Sequence, residues 1–200
     1  MGHRLPPVTT GLIALSLLVF LYSRMGNDFE SLRPLLISWY LQPTLPELRD
    51  GQLWRLITPI FIHFGLLHIT FNMMWLWDLG RVIEWIQGPR HLLALVAAIG
   101  IASNLGEYFY SGPAFGGMSG VLYGLLGYIW MQGKFNPRFG VRLHKPIVTM
   151  MLVWFVLCWS GFFELVGGIR IANMAHTGGL VVGLIWGYLD AQRALRRSAA

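Results

Sequence analysis

A serine follows two glycines and opens an apolar run in Gly116-Gly117-Met118-Ser119-Gly120-Val121-Leu122-Tyr123-Gly124. Serine is a favoured helix N-cap, so capping alone accounts for Ser119. The same position suits a nucleophile, because backbone N–H groups in the first turn of a helix lack intrahelical partners and can stabilise an oxyanion. A histidine opens a second apolar run, Asn173-Met174-Ala175-His176-Thr177-Gly178-Gly179. An ionisable side chain inside such a run is costly and points to function, although a histidine satisfied by a backbone carbonyl also fits. Together, a serine and a histidine make a nucleophile and its general base. Gly179 and Gly183 give the His176 helix a G-x-x-x-G face, and Gly120 and Gly124 do the same beside Ser119, so both helices can approach closely.

A third run carries His63, His68 and Asn72, with His68 and Asn72 four residues apart and on one helical face. A metal site there lacks a His-x-x-x-His pair or a nearby carboxylate, so no metal is expected. Asn72 fits either an interhelical hydrogen bond or a donor completing an oxyanion hole. No carboxylate is well placed to orient His176: Glu107 falls near the end of its segment, Glu164 in a loop, and Asp190 at the opposite end. The expectation is a Ser–His dyad with Tyr123 packed on the imidazole, since a nucleophile needs only a hydrogen-bonded base within reach.

The elements that must carry these residues are helices in a membrane. Of the 200 residues, 55% are hydrophobic and 12% charged, and mean hydropathy is +0.56. Soluble domains carry about 25% charged residues. The net charge of +6 is distributed between apolar segments, which argues for membrane topology and against nucleic-acid binding. The single cysteine, Cys158, excludes an internal disulfide.

Six apolar segments stand out: Val8 to Tyr22, Leu67 to Ile86, His91 to Tyr110, Ser119 to Met131, Pro146 to Phe163 and Asn173 to Leu189. All are read as helices, because a chain in lipid must satisfy its backbone internally. The expected fold is an all-α polytopic membrane protein, a six-helix bundle with a long first loop and a single membrane domain over residues 1–200. No separate cytoplasmic domain is expected before the first helix, which is read as retained rather than cleaved.

Arg4, Arg81, Arg90, Lys134, Arg138, Arg142, Lys145, Arg193, Arg196 and Arg197 fall on one side of such a topology, and Arg24, Arg33, Arg49, Arg55 and Arg170 on the other. This bias puts both termini in the cytoplasm. Between the first two segments, Leu35 to Leu41 is apolar, too short to span, and expected at the interface, with Pro43 and Pro46 at its exit.

Depth gives an independent test of the pairing. Ser119 lies 15 residues before Lys134, and His176 lies 14 before Asp190. At about 1.5 Å per residue both side chains sit roughly 21–22 Å above the cytoplasmic end, on helices running the same way. That height is inside a hydrocarbon core about 30 Å thick, so the glycine-rich stretch before Ser119 must line a water-accessible cavity.

These residues together resemble the rhomboid family of intramembrane serine proteases, most closely the bacterial GlpG type. The matching motifs are Trp54-Arg55, His63-Phe-Gly-Leu-Leu-His68, Phe71-Asn72, Ser111 through Gly120, Tyr123, Gly127-Tyr128 and Asn173 through Gly183. The resemblance implies Ser119 as nucleophile, His176 as base, His68 and Asn72 as oxyanion-stabilising residues, and Tyr123 stacked on the base. It implies that Gly179 and Gly183 bring the last helix against the serine-bearing one, and that the fifth helix and loop form a gate and cap. The implied protein lies in the bacterial inner membrane, needs no cofactor, and has transmembrane protein substrates and membrane lipids as partners. Two other readings compete. An inactive relative that binds transmembrane clients would not need both Ser119 and His176. A small transporter would be expected to show an inverted repeat, and none is visible.

Overall fold

The computed structural model describes residues 5–41, 44–168 and 170–199. Pro43 and Arg4 fall outside these described residues, which are helices, short 3-10 turns and loops without a β-strand. In chain order the helices are α1 (Pro7–Tyr22), α2 (Phe29–Leu32), α3 (Pro46–Arg49), α4 (Leu66–Gln87), α5 (Pro89–Ser111), α6 (Ser119–Phe135), α7 (Lys145–Trp159), α8 (Phe162–Gly167) and α9 (Asn173–Ala199). Five of the six apolar segments each lie in one helix, whereas the fifth, Pro146 to Phe163, is broken: α7 ends at Trp159, the chain turns at Gly161 (φ +75°), and α8 begins at Phe162. The last runs ten residues beyond Leu189, because its Arg-rich end continues the helix past the apolar stretch. By length and composition α5 is able to cross a membrane, while α1 and α7 are apolar but shorter.

Parallel packing of α6 and α9 is the centre of the bundle. A Cβ placed on Gly179 would meet the Gly120 carbonyl, and one on Gly183 would meet the Gly124 carbonyl, each at 1.9 Å. Gly187 stands against Tyr128 in the same way. Partners therefore advance by four residues on both helices together, which only a parallel pair does. The N-terminal ends of α6 and α9, with Ser119 and His176, are consequently at the same end of the bundle.

On the far side, α1 is held antiparallel to α4 by one carboxylate. Glu84, 4% exposed, accepts the backbone N–H groups of Val8 (2.7 Å) and Thr9 (2.8 Å) and the Thr9 hydroxyl (2.7 Å). Pro6 at the N-cap offers no side-chain cap, so Glu84 supplies from another helix what a local Ser or Asp would supply. Glu84→Ala strands these buried donors, and each costs about 1–3 kcal/mol when left unpaired. A clear fall in thermal midpoint in detergent micelles is expected. An unchanged midpoint would mean that α1 does not depend on this contact.

Between α1 and α4 the chain folds back through α2, α3 and 3-10 turns at Arg33–Leu35, Leu53–Leu56 and Thr58–Phe61. Arg55 donates to the carbonyls of Arg33 and Leu36, both at 2.8 Å, and Thr58 donates to Leu35 O at 2.7 Å. Glu47 accepts from the Trp39 N–H and the Ser38 hydroxyl. Burial alone would raise the Glu47 carboxyl, but these hydrogen bonds and the Arg55 charge outweigh it and hold it below its ordinary value. The Leu35–Leu41 piece is not a helix across its length. Leu36, Ile37 and Ser38 are buried, whereas Tyr40 and Leu41 are exposed.

Candidate active site

Ser119 is the first residue of α6, preceded by Met118 at the N-cap, and it is half-buried. The loop before it is braced by the segment leading into α4. The Gly117 N–H donates to Pro59 O at 3.0 Å, and the Met118 N–H donates to His63 Nε2 at 3.4 Å. His63 is fully buried, with Nδ1 3.1 Å from Phe61 O. A carbonyl can only accept, so Nδ1 carries the proton and Nε2 is left as the acceptor for Met118. His63 is thus bound to backbone on both ring nitrogens and supports the serine loop. The sequence places it only before the helix, and nothing in its spacing reveals this partner 55 residues away.

His176, in the first turn of α9, is 5% exposed, and its Nε2 is 2.8 Å from Ser119 Oγ. The Tyr123 ring lies over the imidazole with centroids 4.8 Å apart at 41°, and its hydroxyl donates to Met151 O of α7 at 3.3 Å. Tyr123 follows Ser119 by one helical turn, so α6 carries both the hydroxyl and the ring that face His176.

His68, in the first turn of α4, accepts the Phe64 N–H at Nδ1 (3.3 Å), which leaves the proton on Nε2. That Nε2 lies 2.8 Å from where a Gly117 Cβ would stand, and Ser119 Oγ is 3.7 Å from the same point. Gly117 adopts φ +132°, and a Cβ there would stand within 3.0 Å of the His68 ring, so glycine leaves room for the imidazole beside the serine loop. Asn72 is 5% exposed; its Nδ2 donates one proton to His68 O at 2.8 Å, leaving a second N–H on the same nitrogen.

One carboxylate does more than its sequence position suggests. Glu107 of α5, 2% exposed, accepts the Ala175 N–H at 3.0 Å and also bonds the Ser111 hydroxyl. It does not reach the imidazole. It anchors the backbone one residue before His176, acting as an N-terminal cap of α9 supplied by another helix. Its distance of 68 residues from Ala175 made the contact invisible before α5 and α9 were seen together.

Large apolar side chains lie exposed on α1, α4, α5, α7 and α9, while buried polar groups such as Asn72, Glu84, Glu107, Gln132 and His176 lie between helices. That inversion of the usual surface defines an all-α membrane protein. The chain belongs to the rhomboid family, since the rhomboid domain matches residues 50–193, a stretch that includes His68, Asn72, Ser119, Tyr123 and His176. Rhomboid proteins are integral membrane proteins and are generally intramembrane serine proteases acting on transmembrane proteins.

Proposed function

We propose that this chain is an intramembrane serine endopeptidase of the GlpG type, hydrolysing peptide bonds in or near transmembrane segments. The observation that carries the reading is the 2.8 Å approach of His176 Nε2 to Ser119 Oγ at the end of two parallel helices. Ser119 Oγ attacks the scissile carbonyl while His176 Nε2 takes its proton, then returns that proton to the leaving amine. Water deacylates the serine by the same proton route in reverse. The developing oxyanion is met by the Ser119 backbone N–H, the His68 Nε2–H and the second N–H of Asn72. The His68 tautomer set by Phe64 supports the donor role, because it leaves the proton on Nε2, the nitrogen beside Gly117 in the serine loop. Tyr123 holds the imidazole plane, and Gly179 and Gly183 keep α9 close enough for the pair to meet.

The topology proposed with this chemistry has six spanning helices, α1, α4, α5, α6, α7 and α9, and both termini in the cytoplasm of a bacterial inner membrane. Ser119 and His176 then lie below the outer membrane surface, and α7 with α8 forms the side through which a transmembrane segment arrives.

The test is covalent labelling by a fluorophosphonate probe in detergent micelles. Wild type is expected to be labelled at Ser119, and Ser119→Ala is expected to take up none. Labelling that persists in the alanine variant, or its absence from folded wild type, would remove the nucleophile and favour a client-binding role.

A further inference from the structure

At the end of α9 away from His176, Val182, Ile185, Trp186, Leu189 and Arg193 line a groove of about 320 Å³. Residues spaced by three and four stay on one helical face. Val182 and Arg193 are 11 residues apart, or about 16 Å along the axis. One leaflet's share of a hydrocarbon core about 30 Å thick is about 15 Å. The groove is therefore as long as one leaflet is deep, apolar for most of its length and cationic at one end.

That arginine is fixed. Arg193 Nη1 donates to Asp190 Oδ1 at 3.1 Å, while Asp190 Oδ2 accepts the Tyr128 hydroxyl at 3.3 Å and lies 3.5 Å from His91 Nε2. The Asp190 side chain is 17% exposed and that of Arg193 is 68% exposed, so the carboxylate is turned into the bundle and the guanidinium keeps its other N–H groups available. Arg196 and Arg197 follow Arg193 by three and four residues on the same face, both exposed, and residues 191–200 contain no acid. A phosphate at this end meets positioned guanidinium donors, with the nearby carboxylate already engaged by Arg193 and Tyr128.

We propose that this groove binds an anionic phospholipid, with an acyl chain along Val182, Ile185, Trp186 and Leu189 and the phosphate held by Arg193. Its place in the cytoplasmic leaflet rests on the topology proposed above. Charge and length together decide the occupant. A second copy of the chain, related by a two-fold axis along the membrane normal, would cover the apolar stripe but bring like arginines together. A zwitterionic lipid carries its own cation to the arginines, and a soluble phosphate leaves the apolar length uncovered. An anionic lipid satisfies both ends, and such lipids are attracted to basic residues at the cytoplasmic surface.

The test is native mass spectrometry of the full chain from micelles containing equal amounts of dioleoyl-phosphatidylglycerol and dioleoyl-phosphatidylcholine. Wild type is expected to retain one phosphatidylglycerol about fivefold more often than a phosphatidylcholine, the scale of one arginine at a membrane surface. Arg193→Gln should bring that ratio close to one. Arg142→Gln, at an exposed arginine between α6 and α7, should leave it as in wild type. Ile185→Trp, which fills the groove from its exposed side, should lower retention of phosphatidylglycerol although every arginine remains. An unchanged ratio in Arg193→Gln, or an equal loss in Arg142→Gln, overturns the proposal, because the attraction then belongs to the basic surface as a whole. Release of phosphatidylglycerol by excess inorganic phosphate would replace the lipid with a simple anion. Dimers of the wild type that disappear in Ile185→Trp would make a second copy the occupant. Lipid retention is read without substrate or probe, so its failure leaves the protease reading standing, and an unlabelled Ser119 leaves this site standing.

Discussion

His176→Ala is expected to lower kcat for a transmembrane peptide substrate by about 10⁵-fold or more, the scale seen when one member of a serine–histidine unit is removed. The serine hydroxyl is a weak nucleophile unless its proton has an acceptor as it attacks, and the group at 2.8 Å from Oγ is the His176 imidazole. Ser119→Ala should cost as much, and the double variant should be no worse than either single one, because the residues act as a unit. The variant should remain folded, since the ring contact with Tyr123 contributes only about 0.5–1.5 kcal/mol and the α6–α9 backbone contact does not involve the imidazole. Steady-state hydrolysis paired with a thermal melt separates the two effects. A loss of only tenfold in a folded variant would show that another group removes the proton.

Gly183→Ala is expected to reduce kcat about 100-fold and to destabilise the bundle, although Gly183 lies two helical turns from His176. The added methyl would stand 1.9 Å from Gly124 O and 2.7 Å from its Cα, and a backbone cannot move aside as a flexible side chain can. The helices must separate by about 1 Å or more, and a displacement of that size at a reacting pair costs about two orders of magnitude. The strain adds about 1–3 kcal/mol of destabilisation. Gly178→Ala is the control. Its methyl would meet nothing closer than Ala102 O at 3.5 Å, an ordinary contact, so near wild-type activity and thermal midpoint are expected. Equal behaviour of the two variants in the same assay would sink the close-approach argument.

The helices were legible because their signals are local. Apolar runs mark α1, α4, α5, α6, α7 and α9 to within a few residues, apart from the longer tail of α9. Ser119 and His176 were legible as a pair because residue counts along straight helices translate into height. The supporting contacts were not. His63 holds the Met118 N–H across 55 residues, and Glu107 holds the Ala175 N–H across 68. In sequence both are polar residues without a neighbour to explain them. Glu84 is the same case at the other end of the bundle, capping a helix whose own N-cap is a proline.

The amino-acid sequence by itself thus determined the helices, their apolar faces, the glycine steps that allow close approach, and which hydroxyl and imidazole lie at matching heights. Each follows from spacing along a regular helix. Only the tertiary structure decided which backbone amides are held by His63, Glu84 and Glu107, and which proton His68 carries. Those choices depend on donors and acceptors from different helices meeting at hydrogen-bond distance, and periodicity within one helix carries no information about its neighbour.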